Sequence, residues 1–415
     1  MYRDSGMSPP RSAEAWQRNV WALTLCVFIA FVGFQFFNPF LPLYVRELGV
    51  TDPARIALWS GLLAAVTPAI SGLLAPVFGR LADRFGRKLM LIRSLAGFTV
   101  IIAVMGVVTS VEQLLVTRIL QGLFAGFSPM AMAVASVSAP REKVSLAIAR
   151  VQGAQLISVA VGPAIGGVVA SHLGTRVAFF ITAAMCALAL IALIVLFQEN
   201  RPGPTGEVRA PERPLPLREF LRYRHFVPVM VLLIIAQFID RGLALTIPLH
   251  VAHLPGIEAT AATSGIIISV AAAGAALSSS VVARLSLALP IGRLLFVQFL
   301  VGGALCGVLA FATNASALLI LRTLVALCLG GALTLAYTLG GMIVPGETRG
   351  AAFGWLAMGV QIGTAASPLL SGALAAVSLG NAYLLDAGLA AIATLVLAFG
   401  APDLLRRREP RHRHG

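Results

Sequence analysis

The sequence predicts an all-α membrane protein of twelve transmembrane helices arranged as two six-helix bundles. Three observations predict it. Of the 415 residues, 58% are hydrophobic and 12% charged, with a mean hydropathy of +0.89. A soluble domain carries about twice that charged share, roughly 25%. The charges gather between apolar runs of the ~20 residues that a helix needs to cross a hydrocarbon core ~30 Å thick. Lys and Arg, finally, crowd onto alternate connections. A β-barrel is excluded, because the runs are too long and do not alternate polar with apolar.

The first run, roughly 20–44, follows a basic tail and carries Gln35, Asn38 and Pro39 among aromatics. It is too long for a cleaved signal peptide and lacks a small-residue cleavage site, so it is expected to be retained as a helix. The second, roughly 57–79, leads into the stretch Gly79-Arg80-Leu81-Ala82-Asp83-Arg84-Phe85-Gly86-Arg87-Lys88, expected as a connecting loop. The third is read at roughly 89–109, and the fourth, 113–136, carries Arg118 and Gln121. The fifth, roughly 144–170, holds Gln155 and the cluster Gly162, Pro163, Gly166 and Gly167; the sixth is roughly 176–197. Residues 198–224, with five prolines and both signs of charge, are a linker between residues 1–197 and 225–415. The seventh run, roughly 226–250, carries Gln237, Asp240 and Arg241. The eighth and ninth are roughly 261–283 and 292–312. The tenth, 315–338, carries Arg322; the eleventh, 351–376, carries Gln361 and Ser367-Pro368; the twelfth, 381–400, carries Asp386.

The net charge of +14 invites a nucleic-acid reading, but its distribution argues against one. Of 31 Lys and Arg, 25 fall on the tails and the connections that share a side with them. Three (Arg46, Arg55, Arg176) fall on the opposite connections, and three (Arg118, Arg241, Arg322) inside spans. The positive-inside rule therefore places both termini in the cytoplasm. The four cysteines lie inside spans without metal-ligand spacing, and the six histidines form no cluster. No metal, cofactor or enzymatic site is expected; the partners expected are the lipid bilayer, protons and a small molecule.

Two pairs of motifs recur between the halves. Arg118 recurs as Arg322 at an offset of 204 residues, and Pro163 as Pro368 at 205. Parallel six-helix repeats place a ligand site between the halves near mid-membrane. The acid-bearing stretch Gly79–Lys88 has no full counterpart, because the second half keeps only Gly292-Arg293. Asp83 should lie near the start of the eleventh helix, and a helix N-terminus favours a nearby carboxylate by about 0.3–1 kcal/mol.

Gly79, Asp83, Arg84, Gly86 and Arg87 stand at the spacing that resembles the signature between the second and third helices of the major facilitator superfamily. Arg118-x-x-Gln121-Gly122 resembles that family's fourth-helix motif, linked there to proton transfer. Gly162-Pro163 with Gly166-Gly167 resembles the fifth-helix motif of its exporters, with Ser158 and Ala149 where glycine is typical. The segments Pro39–Thr51 and Leu81–Leu91 are similar to the MdtG-type multidrug efflux proteins of bacterial inner membranes. The resemblance implies a twelve-span drug:proton antiporter, with Asp83 as a cytoplasmic latch and the fifth-helix glycines as gating elements. It leaves open export of one endogenous metabolite, such as a siderophore or sugar, and a non-transporting sensor.

The first helix has no acid between Glu14 and Glu47, where several proton-driven exporters carry one. The expected proton-coupling acid is therefore Asp240, with Asp386 second because it stands nearer a helix end, and the fourth-helix resemblance adds Arg118 to the coupling group. A carboxyl desolvated inside a bundle can bind and release a proton, although pairing with an intramembrane Arg would hold it charged. Gln35, Asn38, Gln121, Gln155, Gln237, Arg241, Arg322 and Gln361 are the candidate polar groups of a ligand cavity, in a chain expected to act as a monomer.

Overall fold

The computed structural model describes residues 11–140, 143–197, 217–345 and 348–406. Most of the linker thus lies outside the described residues. Helices α1 (Arg11–Phe36), α2 (Leu41–Glu47), α3 (Pro53–Phe85), α4 (Arg87–Met105), α5 (Val111–Leu123), α6 (Phe127–Ser138), α7 (Val144–Leu173) and α8 (Thr175–Leu196) form the first half. The second comprises α9 (Leu217–Phe220), α10 (Phe226–His253), α11 (Thr260–Leu285), α12 (Ile291–Leu309), α13 (Ala315–Leu329), α14 (Ala332–Ile343), α15 (Arg349–Val377), α16 (Leu379–Leu395) and α17 (Pro402–Arg406). Among the described residues, twelve helical segments are long and apolar enough to cross a membrane. The α5–α6 pair counts as the fourth span and the α13–α14 pair as the tenth.

Local chemistry sets the boundaries. Asp52 caps α3 by accepting from the Arg55 N–H at 3.0 Å, with Pro53 in the first turn. Ser110 caps α5 and Asn314 caps α13 in the same way, at 3.3 and 2.8 Å. Three observations depart from the sequence reading. The second span does not stop near residue 79; α3 continues to Phe85, so the expected loop is helical up to Gly86. That glycine alone turns the chain, at a φ of 92° that other residues rarely adopt, while its N–H donates to the Ala82 carbonyl. The first span ends at Phe36, where Asn38-Pro39-Phe40 makes a 3-10 turn. The fourth and tenth spans are each broken eight residues after their arginine, at Gly126 and at Gly330-Gly331.

Two hydrophobic cores organise the helices. One is built on residues such as Leu23, Leu63, Leu91 and Phe179, the other on Leu232, Phe299, Leu335 and Tyr383. Each belongs almost wholly to one six-helix bundle, although the first reaches Ala261, and a small third cluster of Ala57, Leu245 and Leu249 joins the two bundles. The bundles meet along α3 against α15 and α7 against α11. Large apolar side chains on the outside, such as Leu73, Val195 and Phe311, are suited to lipid rather than water. Because the spans alternate in direction, Arg11 and the end of α16 share one end of the molecule. We call it the basic end, since it also carries Arg84, Arg87, Lys88, Arg284 and Arg293. The far end carries Arg46, Arg55 and Arg176. There Tyr44 on α2 donates to the Met105 carbonyl at 2.6 Å, covering the end of α4. Burial pushes its hydroxyl above the usual phenol range, so it remains a donor at neutral pH.

Candidate functional site

In the first bundle the intramembrane charge is Arg118, on α5. It is 4% exposed and stands over the Phe37 ring, 4.2 Å from the centroid. Its Nη1 donates to Gln121 Oε1 at 3.1 Å, and its backbone carbonyl accepts from Thr67 Oγ1 at 2.9 Å. Its Nε has no partner, and no acid among the described residues forms an ion pair with it. A cation–π contact partly offsets the cost of burying such a charge. Gln155 donates to Ser128 Oγ at 3.0 Å. Gln35 packs at Gly162, where a Cβ would lie 2.6 Å from its own. The Asn38 side chain lies outside the described residues.

In the second bundle the acids sit differently from the sequence expectation. Asp240, expected as the desolvated acid, has a side chain 51% exposed and pairs through Oδ1 with Arg322 Nη2 at 3.2 Å. Asp386, ranked below it, is 0% exposed, and neither carboxyl oxygen has a hydrogen-bond partner. The reason is helical phase. Asp240 points away from the buried face of α10, whereas Asp386 points at Gly242, whose missing side chain leaves room for it. Arg241 is adjacent in sequence to Asp240 but does not pair with it; its Nε is buried without a partner. Gln237 is buried beside Gly363, and Gln361 is exposed opposite Gly72.

The gating glycines meet the other bundle or a neighbouring backbone. A Cβ on Gly166 would overlap the Phe36 backbone, and one on Gly167 the Ala261 carbonyl. The Pro163 carbonyl lies against Gly265 on α11. The Pro368 carbonyl lies in the same way against Gly61 on α3, and Gly372 lies against Ala57. Gly61 and Gly265 are 204 residues apart, as are Ala57 and Ala261. The interface is therefore made twice, once by each repeat. Sequence reasoning passed over Ala57, Gly61, Ala261 and Gly265; the shared offset was the available signal. These contacts lie in the halves of the spans nearer the far end. Toward the basic end, a Cβ on Gly153 of α7 or Gly354 of α15 would meet nothing within 4 Å.

At the basic end, the Gly79 and Asp83 side-chain positions lie outside the described residues. Arg84 stands over the Phe85 ring. Arg87 donates to the Ala133 carbonyl at 3.1 Å and Lys88 to the Phe197 carbonyl at 2.6 Å. Arg93 reaches the Leu123 and Ala125 carbonyls, at 3.2 and 3.0 Å, where the fourth span breaks. Read from sequence as mainly a topology signal, these bases include two, Lys88 and Arg93, that also satisfy carbonyls freed at helix ends.

Twelve spans in two repeated bundles, closed on each other at one end and carrying charges in their interior, define a membrane transporter built for alternating access. The sequence matches the Major Facilitator Superfamily over residues 23–315 and 260–414, and the chain belongs to that family. It is 31% identical over 417 residues to the multidrug resistance protein MdtG of Escherichia fergusonii, covering 97% of this chain and 99% of that one. It is equally identical over 381 residues to MdtG of Salmonella paratyphi A, covering 89% and 92%. Among solved structures it is similar to a bacterial homolog of the human lysosomal transporter Spinster in an inward-facing, occupied conformation. That match has a TM-score of 0.78 at 17% identity, covering 98% of this chain and 100% of that one. The nucleoside transporter NupG matches with a TM-score of 0.70 at 15% identity, over 94% and 99%.

Proposed function

We propose that the chain exports small lipophilic, drug-like molecules from the cytoplasm in exchange for protons. The observation that carries this reading is the doubled contact of Gly61 with Pro368 and Gly265 with Pro163 near the far end, while Gly153 and Gly354, toward the basic end of α7 and α15, face open space. A molecule closed at one end by small-residue contacts is one state of an alternating-access cycle. By the positive-inside rule the basic end is cytoplasmic, with both termini there, and the membrane is a bacterial inner membrane. The drug-like ligand class rests on the relatives named as multidrug resistance proteins.

Residues 1–197 and 225–415 are the two moving units and 198–224 their linker, and the chain acts as a monomer. Asp240, Asp386 and Arg118 couple transport to protons. Asp83 latches the opposite state by meeting the N-terminus of α15, which begins at Arg349. Gln35, Asn38, Gln121, Gln155, Gln237, Arg241, Arg322 and Gln361 are the polar groups of a largely apolar cavity. The test uses the protein in lipid vesicles, with a pH step imposed in either direction and a panel of lipophilic fluorescent dyes. We expect a dye to move against its gradient, with protons moving the opposite way. If no dye moves under either gradient, the antiport reading fails.

A further inference from the structure

The interior of the second bundle contains a line of polar side chains that the coupling scheme above does not explain. Gly242, Thr246 and His250 follow one another at four-residue intervals along α10, and so share one face. Tyr383 and Asp386, three apart, present one face of α16; Ser367 and Ser371, four apart, present one face of α15. All of these side chains are buried. A point one bond from the Gly242 Cα lies 2.7 Å from Ser371 Oγ, 3.0 Å from Ser367 Oγ and 3.3 Å from Asp386 Oδ1. Three oxygens thus converge on a glycine. Ser367 donates to the Phe238 carbonyl at 2.5 Å, but Ser371 Oγ and both Asp386 oxygens have no partner.

Toward the far end the line continues. The Tyr383 hydroxyl lies 3.0 Å from His250 Nδ1, and Thr246 lies beside the same hydroxyl. His253, one turn beyond His250, lines a cavity of about 220 Å³ at the far end together with Pro53, Ala54 and Ser378. Its Nδ1–H donates to the Leu249 carbonyl at 2.7 Å, which leaves Nε2 free for solvent or a proton. From Tyr383 to Asp386 the gap is about one turn of α16, ~5–6 Å between Cβ atoms. One water molecule or one rotamer change spans such a gap.

We infer that Asp386 is a proton-binding site loaded from the far face through His253, His250 and Tyr383. Burying an ionised carboxylate with no donor is costly, and a bound proton removes the charge. The charged or titratable groups around Asp386 are Arg322 on α13, Cys306 on α12 and Tyr383 on its own helix, with His250 and Asp240 on α10 further out. Arg322 is hydrogen-bonded to Asp240 and not to Asp386, so no cation touches the Asp386 carboxyl directly. Identifying the far face with the outside of the cell rests on the proposed function; the existence of the site does not.

The test is infrared spectroscopy of the full-length protein in lipid at neutral pH, following the carbonyl stretch of a protonated carboxylic acid. We expect the band in the wild type and in the double variant Asp240→Asn/Arg322→Gln, and its loss in Asp386→Asn. In His250→Phe and Tyr383→Phe the band should remain, while its exchange with deuterium from solvent slows at least tenfold. A band that survives Asp386→Asn, or that the wild type lacks, overturns the site; unchanged exchange in both aromatic variants overturns the route. Dye transport by the same wild-type preparation separates this from the antiport reading: without coupled transport but with the band, the reading fails and the site stands.

Discussion

Gly265→Ala is expected to hold the molecule open at its far end and to slow transport. The added methyl would overlap the Pro163 carbonyl, which belongs to backbone and cannot swing aside. Overpacking of this kind costs ~1–3 kcal/mol, and only in the closed state. That shifts the equilibrium between the two states by roughly 5- to 150-fold. Gly61→Ala should behave alike, because it meets the Pro368 carbonyl in the equivalent repeat. The two sites share no partner, so the double variant should approach the sum of the two effects. The check is thiol labelling of Ser269→Cys from the far side, in a background lacking the four native cysteines. Ser269 accepts from the Ala164 N–H across the same interface, at 2.9 Å, and is covered while the end is closed. Labelling should be slow in the parent and fast in the glycine variants. Equal rates would mean that these glycines do not govern closure.

Asp240→Asn should abolish uphill transport while leaving downhill exchange of the same dye. Arg322 is 8% exposed and Asp240 is its only ion-pair partner among the described residues. Losing a hydrogen bond to a charged group costs ~1.5–3 kcal/mol. The bared guanidinium then turns to Asp386, the other carboxyl within its electrostatic range, and holds it ionised. A site fixed in one protonation state cannot couple. Asp240→Asn/Arg322→Gln removes both charges and should recover thermal stability without recovering uphill transport, which separates structural from coupling roles. Full uphill activity in Asp240→Asn would remove Asp240 from the mechanism.

Much of this was legible in the sequence because membrane helices obey few rules. Run length and the placement of Arg and Lys determine the spans, and recurrence at 204 and 205 residues reveals the repeat. Ser110 and Asn314, Arg118 and Arg322, and Gly126 and Gly330 all stand 204 apart. What the sequence hides is direction. A helix apolar all round carries no amphipathic stripe to say which side faces the bundle, so Asp240 and Asp386 could not be told apart by burial. His250 and Tyr383 meet across 133 residues of chain, and neither carries a local signal of the other. Gly61 and Gly265 are each one small residue in an apolar run. The charged residues of Gly79–Phe85 resemble a loop because they end the apolar run, yet α3 remains helical through them.

The two ends are expected to open in alternation, with a proton selecting between them. Distances between spin labels on the full-length protein in lipid discs test it most directly. One pair, Thr51→Cys with Val377→Cys, spans the far end; the other, Arg84→Cys with Gly354→Cys, spans the basic end. At acid pH we predict the arrangement described above, with the far pair short and the basic pair long. At alkaline pH with a transported dye, the far pair should lengthen as the basic pair shortens, and Asp386→Asn should keep the far pair short at every pH. Distances that stay fixed, or that change in the same sense at both ends, would contradict the account.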